Sequence, residues 1–264
     1  MRAMMKQLSV DHYVSFTYTS GKRADDAGDW EFKVSGIGRW MEMMGDRGLS
    51  VLRFTLPLLY VEDHPTAFQE MFVRFARRLH ALHGYGGHAL VLSATQWDEN
   101  QAFEAYMAKM LNGLDAGSAV FAAGDADKGI KTVSWLTAVN DEMIEKVGGI
   151  ETVRSELPMD WFALYDYGTG IVVQAGPAPE GAPVDADPKP ARLVLPNHLF
   201  RELRAPDVWL HLASTDGDEP RLIGWAAEQW LQRFDIDRNE LMAYKAKLLE
   251  EPKLAPENTL ADRL

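Results

Sequence analysis

A glycine-rich turn joins two strand-like runs in the second half of the chain. Gly168 and Gly170 are preceded by an aromatic-rich stretch, 161–167, and followed by the β-branched residues 171–173. Glycine adopts the positive φ of tight turns, and β-branched and aromatic side chains suit a pleated sheet. We therefore predict a β-hairpin here. A phosphate-binding loop needs a helix directly after its glycines, whereas residues 175–190 are rich in Gly, Pro, Ala and Asp and predict an irregular segment.

Strands and helices alternate on both sides of this hairpin. Apolar residues spaced three and four apart predict a helix from His64-Pro65 to residue 82, which glycines within 84–87 are expected to end. Another helix is predicted to start at Asn140, whose side-chain oxygen can cap it, and to end at Gly148-Gly149. The other predicted strands are 13–19, 30–37, 49–56, 88–93, 130–137, 192–195 and 208–213, and the other predicted helices are 40–48, 97–114, 150–157, 198–203, 223–234 and 237–248.

This order of elements predicts an α+β fold with mainly antiparallel or mixed sheets and packed helices. Strand-helix-strand units are expected in both halves. At 264 residues the chain is long enough to bury a sizeable core. We expect one domain over 1–264, or alternatively two lobes divided near 115–129, and a flexible tail over 251–264.

The composition is that of an ordinary globular protein, with 47% hydrophobic and 25% charged residues. No membrane span or secretion signal is visible, and cysteine is absent, so we expect a cytoplasmic protein without disulfides. The net charge of −12 argues against direct nucleic-acid binding, because phosphates are bound by clustered Lys and Arg. It favours a basic protein partner, although many acidic proteins carry such a charge for solubility alone.

Motifs for catalysis or metal binding are incomplete in this sequence. His80, His83 and His88 are close together, but three glycines separate the last from the others, and no carboxylate has the spacing of a zinc motif. Neither G-x-S-x-G, a P-loop nor a full dinucleotide-binding turn occurs. We expect no metal and no cofactor. A buried carboxylate pair stays open as an alternative, because sequence alone does not reveal one.

Three stretches, taken in order, resemble the type VI secretion immunity family associated with VRR-Nuc toxins. They are GIKTVSWLTAVNDEMIEKVGGIETVRSEL (129–157), YGTGIVVQAGPAPEG (167–181) and EQWLQRF (228–234), and FTLPLLYVEDHPTAFQEMF (54–72) is also similar. The chain departs from the family pattern at Ala182-Pro183. The matching positions are Trp135, Leu136, Thr137, Gly148, Gly149, Gln174, Ala175, Gly176, Pro179, Trp230, Leu231, Arg233 and Phe234.

The resemblance implies a non-enzymatic cytoplasmic antitoxin whose partner is a secreted effector, expected to be a basic nuclease. An acidic protein can occupy a basic DNA-binding surface and exclude DNA from it. The acidic, aromatic segment 97–127 is our candidate partner-binding face, with Trp97, Asp98, Glu99, Asp125 and Asp127 as the contact residues.

Two other classes of function stay open at this point. The chain could be an enzyme or small-molecule binder that uses the Gly/Pro-rich hairpin loop. It could also be an adaptor that loads an effector without neutralising it.

Overall fold

The computed structural model describes residues 14–23, 25–36, 38, 49–93, 95–117, 126–213 and 220–264. The helix predicted at 40–48 lies outside these residues. The strands are β1 (Val14–Thr19), β2 (Glu31–Gly36), β3 (Val51–Thr55), β4 (His83–Gly86), β5 (His88–Ala89), β6 (Leu114–Asp115), β7 (Leu136–Asn140), β8 (Phe162–Asp166) and β9 (Gly170–Ala175). The helices are α1 (Leu58–Asp63), α2 (Ala67–Leu79), α3 (Trp97–Ala108), α4 (Asp141–Lys146), α5 (Gly149–Glu156), α6 (Ala191–Phe200), α7 (Gly224–Leu231) and α8 (Leu241–Leu248).

The predicted hairpin is confirmed as the antiparallel pair β8–β9. Gly168 has a φ of +94° in its turn, and its amide donates to Oδ1 of Asp166 at 2.6 Å. The turn closes through the Tyr167 amide, which donates to the Gly170 carbonyl at 3.0 Å. Every residue of β9 is buried, because other elements cover both faces of this strand.

The central sheet has four strands in the order β4-β7-β9-β8, and each neighbouring pair is antiparallel. One face, which includes Val139 and Val173, packs against α4, α5, α6 and α8. The other face, which includes Ala138 and Val172, packs against α2. A second sheet, β1-β2-β3, is also antiparallel and contacts α2 through aromatic rings. The α+β prediction is therefore confirmed, with strand-helix-strand order in both halves.

Several local predictions were wrong. Residues 208–213 form no strand, the strand predicted at 130–137 is β7 (136–140), and the one predicted at 88–93 is limited to β5 (88–89). Residues 192–195 belong to helix α6, because the carboxylate of Glu251 accepts the amides of Ala191 and Arg192 and caps that helix from a distant part of the chain. The glycines at 84 and 86 belong to strand β4 and pair with β7. An added Cβ would lie 2.8 Å from the Phe68 ring at Gly86 and 3.2 Å from the Phe72 ring at Gly84, so larger residues fit poorly here.

The segment 251–264, predicted to be a flexible tail, makes hydrogen bonds and apolar contacts with the central sheet. The amide of Leu264 donates to the Leu164 carbonyl at 2.8 Å. The carbonyl of Asn258 accepts a hydrogen bond from the Gln174 side chain at 2.9 Å. Leu254 and Leu260 pack against the α2-facing side of the sheet. Two leucines and main-chain hydrogen bonds thus hold a segment that is mostly polar in sequence.

Candidate functional site

Helix α3 is inverted, with polar side chains buried and aromatic ones exposed. Gln101 and Glu104 are 7% and 6% exposed, whereas Phe103 and Tyr106 are 52% and 57% exposed. Met110, just beyond the helix, is also exposed. Positions three and four apart share one side of a helix, so we call Phe103, Tyr106 and Met110 the α3 stripe. Grouped apolar side chains on a surface mark an interaction site more strongly than single ones do.

The buried polar side of α3 is held by specific hydrogen bonds. Oε2 of Glu104 accepts from Nε2 of His211 at 2.9 Å and from the Gly117 amide at 2.8 Å. Nδ1 of His211 accepts from the Leu222 amide at 3.0 Å, which places the imidazole proton on Nε2. These bonds satisfy Glu104 and His211 and hold α3 in position without the rings of Phe103 and Tyr106.

Part of the predicted partner-binding face lies on the first turn of α3. Trp97 begins the helix, and Asp98 and Glu99 follow as exposed residues. Oδ1 of Asp98 lies 3.2 Å from Nη2 of Arg221, whose side chain is only 2% exposed. Glu99 precedes Phe103 by four residues and so adds a carboxylate to the end of the α3 stripe.

Sequence reasoning missed the aromatic part of this surface. It predicted a helix over 97–114 and singled out neither Phe103 nor Tyr106 as a contact residue. The signal that could have found them is the pair of alanines at 105 and 108, which are fully buried and mark the packed side of α3. Trp209 and Trp225 are also exposed, at 61% and 72%, on segments close in sequence to His211 and Leu222.

A cleft of about 800 Å³ lies between strands β3 and β4, and we call it the β3–β4 cleft. Its apolar lining includes Phe54 of β3 and Phe68 and Phe72 of α2. Volumes of this size are typical of sites that bind small molecules.

The polar end of the β3–β4 cleft is a buried network. Nε2 of His83 donates to the Ala126 carbonyl at 2.7 Å, and Nδ1 of the same ring lies 3.0 Å from the Tyr85 hydroxyl. Nζ of Lys131 forms an ion pair with Asp115. Burial lowers the pKa of His83 and raises the pKa of Tyr85. These groups satisfy one another, so the network stabilises this end of the cleft.

The remaining predicted contact residues lie apart from Asp98 and Glu99 in sequence. Asp127 is exposed and directly follows Ala126, which lines the β3–β4 cleft. Asp125 lies outside the described residues. The acidic face is thus divided between the start of α3 and the neighbourhood of the cleft.

The three clustered histidines are held in different ways. His80 is exposed and ends α2 with a φ of +48°, whereas His83 is bonded within the buried network. His88 lies in the short strand β5. Among the residues that the structure describes, no three His, Asp or Glu side chains gather in a way that could hold a metal ion.

Comparison with known proteins identifies the family. The family described as "TsiV: Type VI immunity for VRR-NUC" matches residues 1–234. The chain belongs to the TsiV family. It is also similar to a solved structure described as "Pseudomonas aeruginosa T6SS protein PA0821", with 46% sequence identity and a TM-score of 0.93, over 100% of this chain and 74% of that chain. No curated protein matches it.

The residues that carry the resemblance to the TsiV family form internal contacts. Nε1 of Trp135 and Nε2 of Gln174 both donate to the Gly176 carbonyl at 3.0 Å. The guanidinium of Arg233 lies 3.6 Å from the ring centroid of Trp230, and its Nε donates to the Asn112 carbonyl at 2.8 Å. These side chains therefore maintain the fold of this TsiV-family chain.

The Gly/Pro-rich loop of the TsiV-family chain is also held in place by contacts within the chain. Nη2 of Arg192 lies 2.7 Å from Oε2 of Glu180. The Asn112 amide and Nδ2 donate to the carbonyls of Ala182 and Pro183, at 2.8 and 2.6 Å. Ala182 and Pro183, which depart from the family pattern, thus contact the turn after α3. The carboxylate of Glu251 also lies near Arg192, 3.8 Å from its Nε.

Helices within the described part of the chain are either too short or too polar to cross a membrane.

Proposed function

We propose that this chain is a cytoplasmic immunity protein that binds a VRR-Nuc effector and neutralises it. Neutralisation would follow from coverage of the active or DNA-binding surface of the effector. The family description supports the immunity role. The net charge of −12 supports attraction to a basic nuclease surface and repulsion of nucleic acid.

The inverted helix α3 is the observation that best supports a binding role. A helix that buries Glu104 and exposes Phe103 and Tyr106 has its aromatic side chains available for a partner. Exposed aromatic residues are the usual anchors of protein interfaces, and carboxylates around them favour a basic partner. We propose that the α3 stripe is the apolar centre of the effector-binding face and that Asp98, Glu99 and Asp127 supply its charge.

We further propose that the protein acts without catalysis and as one domain. Contacts across the expected division favour one domain, because Lys131 pairs with Asp115 and strand β4 pairs with strand β7. The internal bonding of Glu180 and Glu251 favours a structural role for these carboxylates over a catalytic one.

The first experiment is a combined toxicity and binding assay. The VRR-Nuc effector encoded beside this protein is expressed with and without the affinity-tagged protein, and growth and co-purification are both measured. We expect rescue of growth together with co-purification. Co-purification of an effector that still degrades DNA would favour a loading adaptor, and neither rescue nor binding with an active effector would refute the proposal.

A charge-reversal pair tests the acidic part of the face. Glu99→Lys with Asp127→Lys should weaken effector binding by at least about tenfold, since each reversal converts attraction into repulsion. Asp98 is left unchanged, because its removal would leave the buried cation of Arg221 without that partner. The matched control is Glu257→Lys with Asp262→Lys, in the segment that lies against the central sheet. Equal binding by the Glu99/Asp127 variant and the wild type would contradict this placement of the face.

A further inference from the structure

The edges of the two larger sheets both border the β3–β4 cleft. Within the described part of the chain, the three-stranded sheet ends at β3 and the four-stranded sheet ends at β4. Every residue of Val51–Thr55 and of His83–Gly86 lines the cleft. A strand at the end of a sheet directs part of its main-chain N–H and C=O groups outward. The cleft is therefore bounded on two sides by peptide groups that can pair with an added strand.

The side chain of Phe68 on α2 lies close to both strands of the cleft. The ring of Phe68 lies 5.2 Å from that of Phe54 in β3, and a Cβ added at Gly86 in β4 would lie 2.8 Å from the same ring. One phenyl ring thus reaches both strands. Neighbouring strands in a sheet are about 4.8 Å apart, so a segment paired with both edges requires these edges to lie about 9.6 Å apart.

The two sides of the cleft differ in polarity. The α2 side is apolar and is formed by Phe54, Phe68 and Phe72. On the opposite face of the strands, Arg53 pairs with Glu31 at 3.3 Å, and Tyr85 lies near Lys131. Successive side chains of a strand point to opposite faces. An inserted segment with alternating apolar and polar residues would match both sides.

We propose that the β3–β4 cleft binds one extended segment of the VRR-Nuc effector as an added β-strand. This inference rests on the proposed function. The segment joins the two sheets through main-chain hydrogen bonds and places alternate apolar side chains on Phe54, Phe68 and Phe72.

The effector is the occupant that the surroundings favour. Glu104, on the buried side of α3, also lines the cleft, so this helix borders it. Asp29, at the β3 end, and Asp127, beside Ala126, are exposed carboxylates. They favour lysine or arginine at the ends of the inserted segment.

Amide hydrogen exchange, measured on the free protein and on its complex with the effector nuclease domain, tests the added strand. We expect the amides of β3 and β4 to exchange at least about tenfold more slowly in the complex. The edge strand β1 does not line the cleft and should keep its exchange rate, so it is the internal control. Protection of residues 98–110 without protection of β3 and β4 would overturn the strand insertion and leave the proposed function intact.

Two other outcomes separate the alternatives. The absence of any complex with an active effector would refute the proposed function itself. Protection of β3 and β4 in the free protein that increases with its own concentration would assign the cleft to a second copy of this chain, and would overturn the proposal.

Chemical blocking gives an independent test, because the chain contains no cysteine. Leu52→Cys places a single thiol in the cleft, and Thr17→Cys places a matched thiol on β1. Reaction of the folded variants with a bulky maleimide should weaken effector binding at least about tenfold for Leu52→Cys and leave Thr17→Cys unchanged. Equal affinity of the labelled and unlabelled Leu52→Cys protein would overturn the proposal.

Discussion

The buried imidazole of His83 makes the stability of this fold depend on pH. Desolvation by burial is the main cause that lowers its pKa, the hydrogen bond to the Ala126 carbonyl opposes this change, and the charge of Lys131 adds to it. A protonated ring could no longer accept a hydrogen bond from the Tyr85 hydroxyl. Because the unfolded chain binds this proton more readily, His83 reduces the free energy of unfolding as the pH falls below about 6.5.

Replacement of this histidine should change the pH dependence of stability. His83→Asn is expected to cost about 1–3 kcal/mol at pH 7, since it disturbs hydrogen bonds inside a buried network. It should also flatten the loss of stability between pH 7 and 5. Urea unfolding across this range measures both effects, and an unchanged slope in the variant would contradict the assignment.

The hairpin glycines offer a matched pair of substitutions. A Cβ at Gly170 would overlap the Val139 carbonyl and the Tyr167 hydroxyl, whereas a Cβ at Gly168 would meet no atom within 4 Å. Gly168→Ala should therefore cost about 1–2 kcal/mol, from its positive φ alone. Gly170→Ala should cost clearly more. Similar unfolding free energies for the two variants would contradict the close packing described for this turn.

At the scale of the secondary-structure element, substitutions on the exposed side of α3 should weaken effector binding with little effect on stability. Phe103→Ala combined with Tyr106→Ala should change the free energy of unfolding by less than about 1 kcal/mol, because both side chains are exposed. The same variant should lose at least about tenfold in effector affinity, as expected for anchor residues. Met242→Ala and Leu249→Ala remove exposed apolar side chains around α8 and should leave affinity unchanged. A large loss of stability in the α3 variant would show that the helix uses these rings for packing.

Local signals in the sequence predicted some elements well. The β8–β9 hairpin followed from its glycines, and Asn140 caps α4 by accepting the Met143 amide at 3.0 Å. Helix α6 could not be predicted in this way, because its cap comes from Glu251, about 60 residues away. The acidic residues of the candidate face were visible in sequence. The exposure of Phe103 was not, since it depends on which side of α3 is packed.

At the scale of the whole molecule, the segment 251–264 stabilises the central sheet from outside the region that matches the family. Gln69 and Gln174 are fully buried, and both side chains donate to the Asn258 carbonyl. Deletion of residues 254–264 would leave these amides without that acceptor and expose the apolar surface under Leu254 and Leu260.

This deletion should lower the free energy of unfolding by at least about 2 kcal/mol, since an unsatisfied buried donor costs about 1–3 kcal/mol. Asn258→Ala is the matched control. It keeps the main-chain carbonyl and loses only the side-chain bond to the Ala255 amide, so its effect should be smaller. Chemical denaturation of both variants provides the comparison, and a deletion as stable as the full chain would contradict the role given to this segment.

The strand order β4-β7-β9-β8 also determines when a newly synthesised chain can complete its central sheet. Strand β4 (83–86) can pair only after β7 (136–140) has been synthesised, and β7 pairs in turn with β9 (170–175). At roughly 5–20 residues per second, synthesis to residue 175 takes on the order of 10–35 s. The sheet closes only afterwards. The central sheet of this chain therefore forms only after most of its residues have been synthesised, and not progressively along the chain.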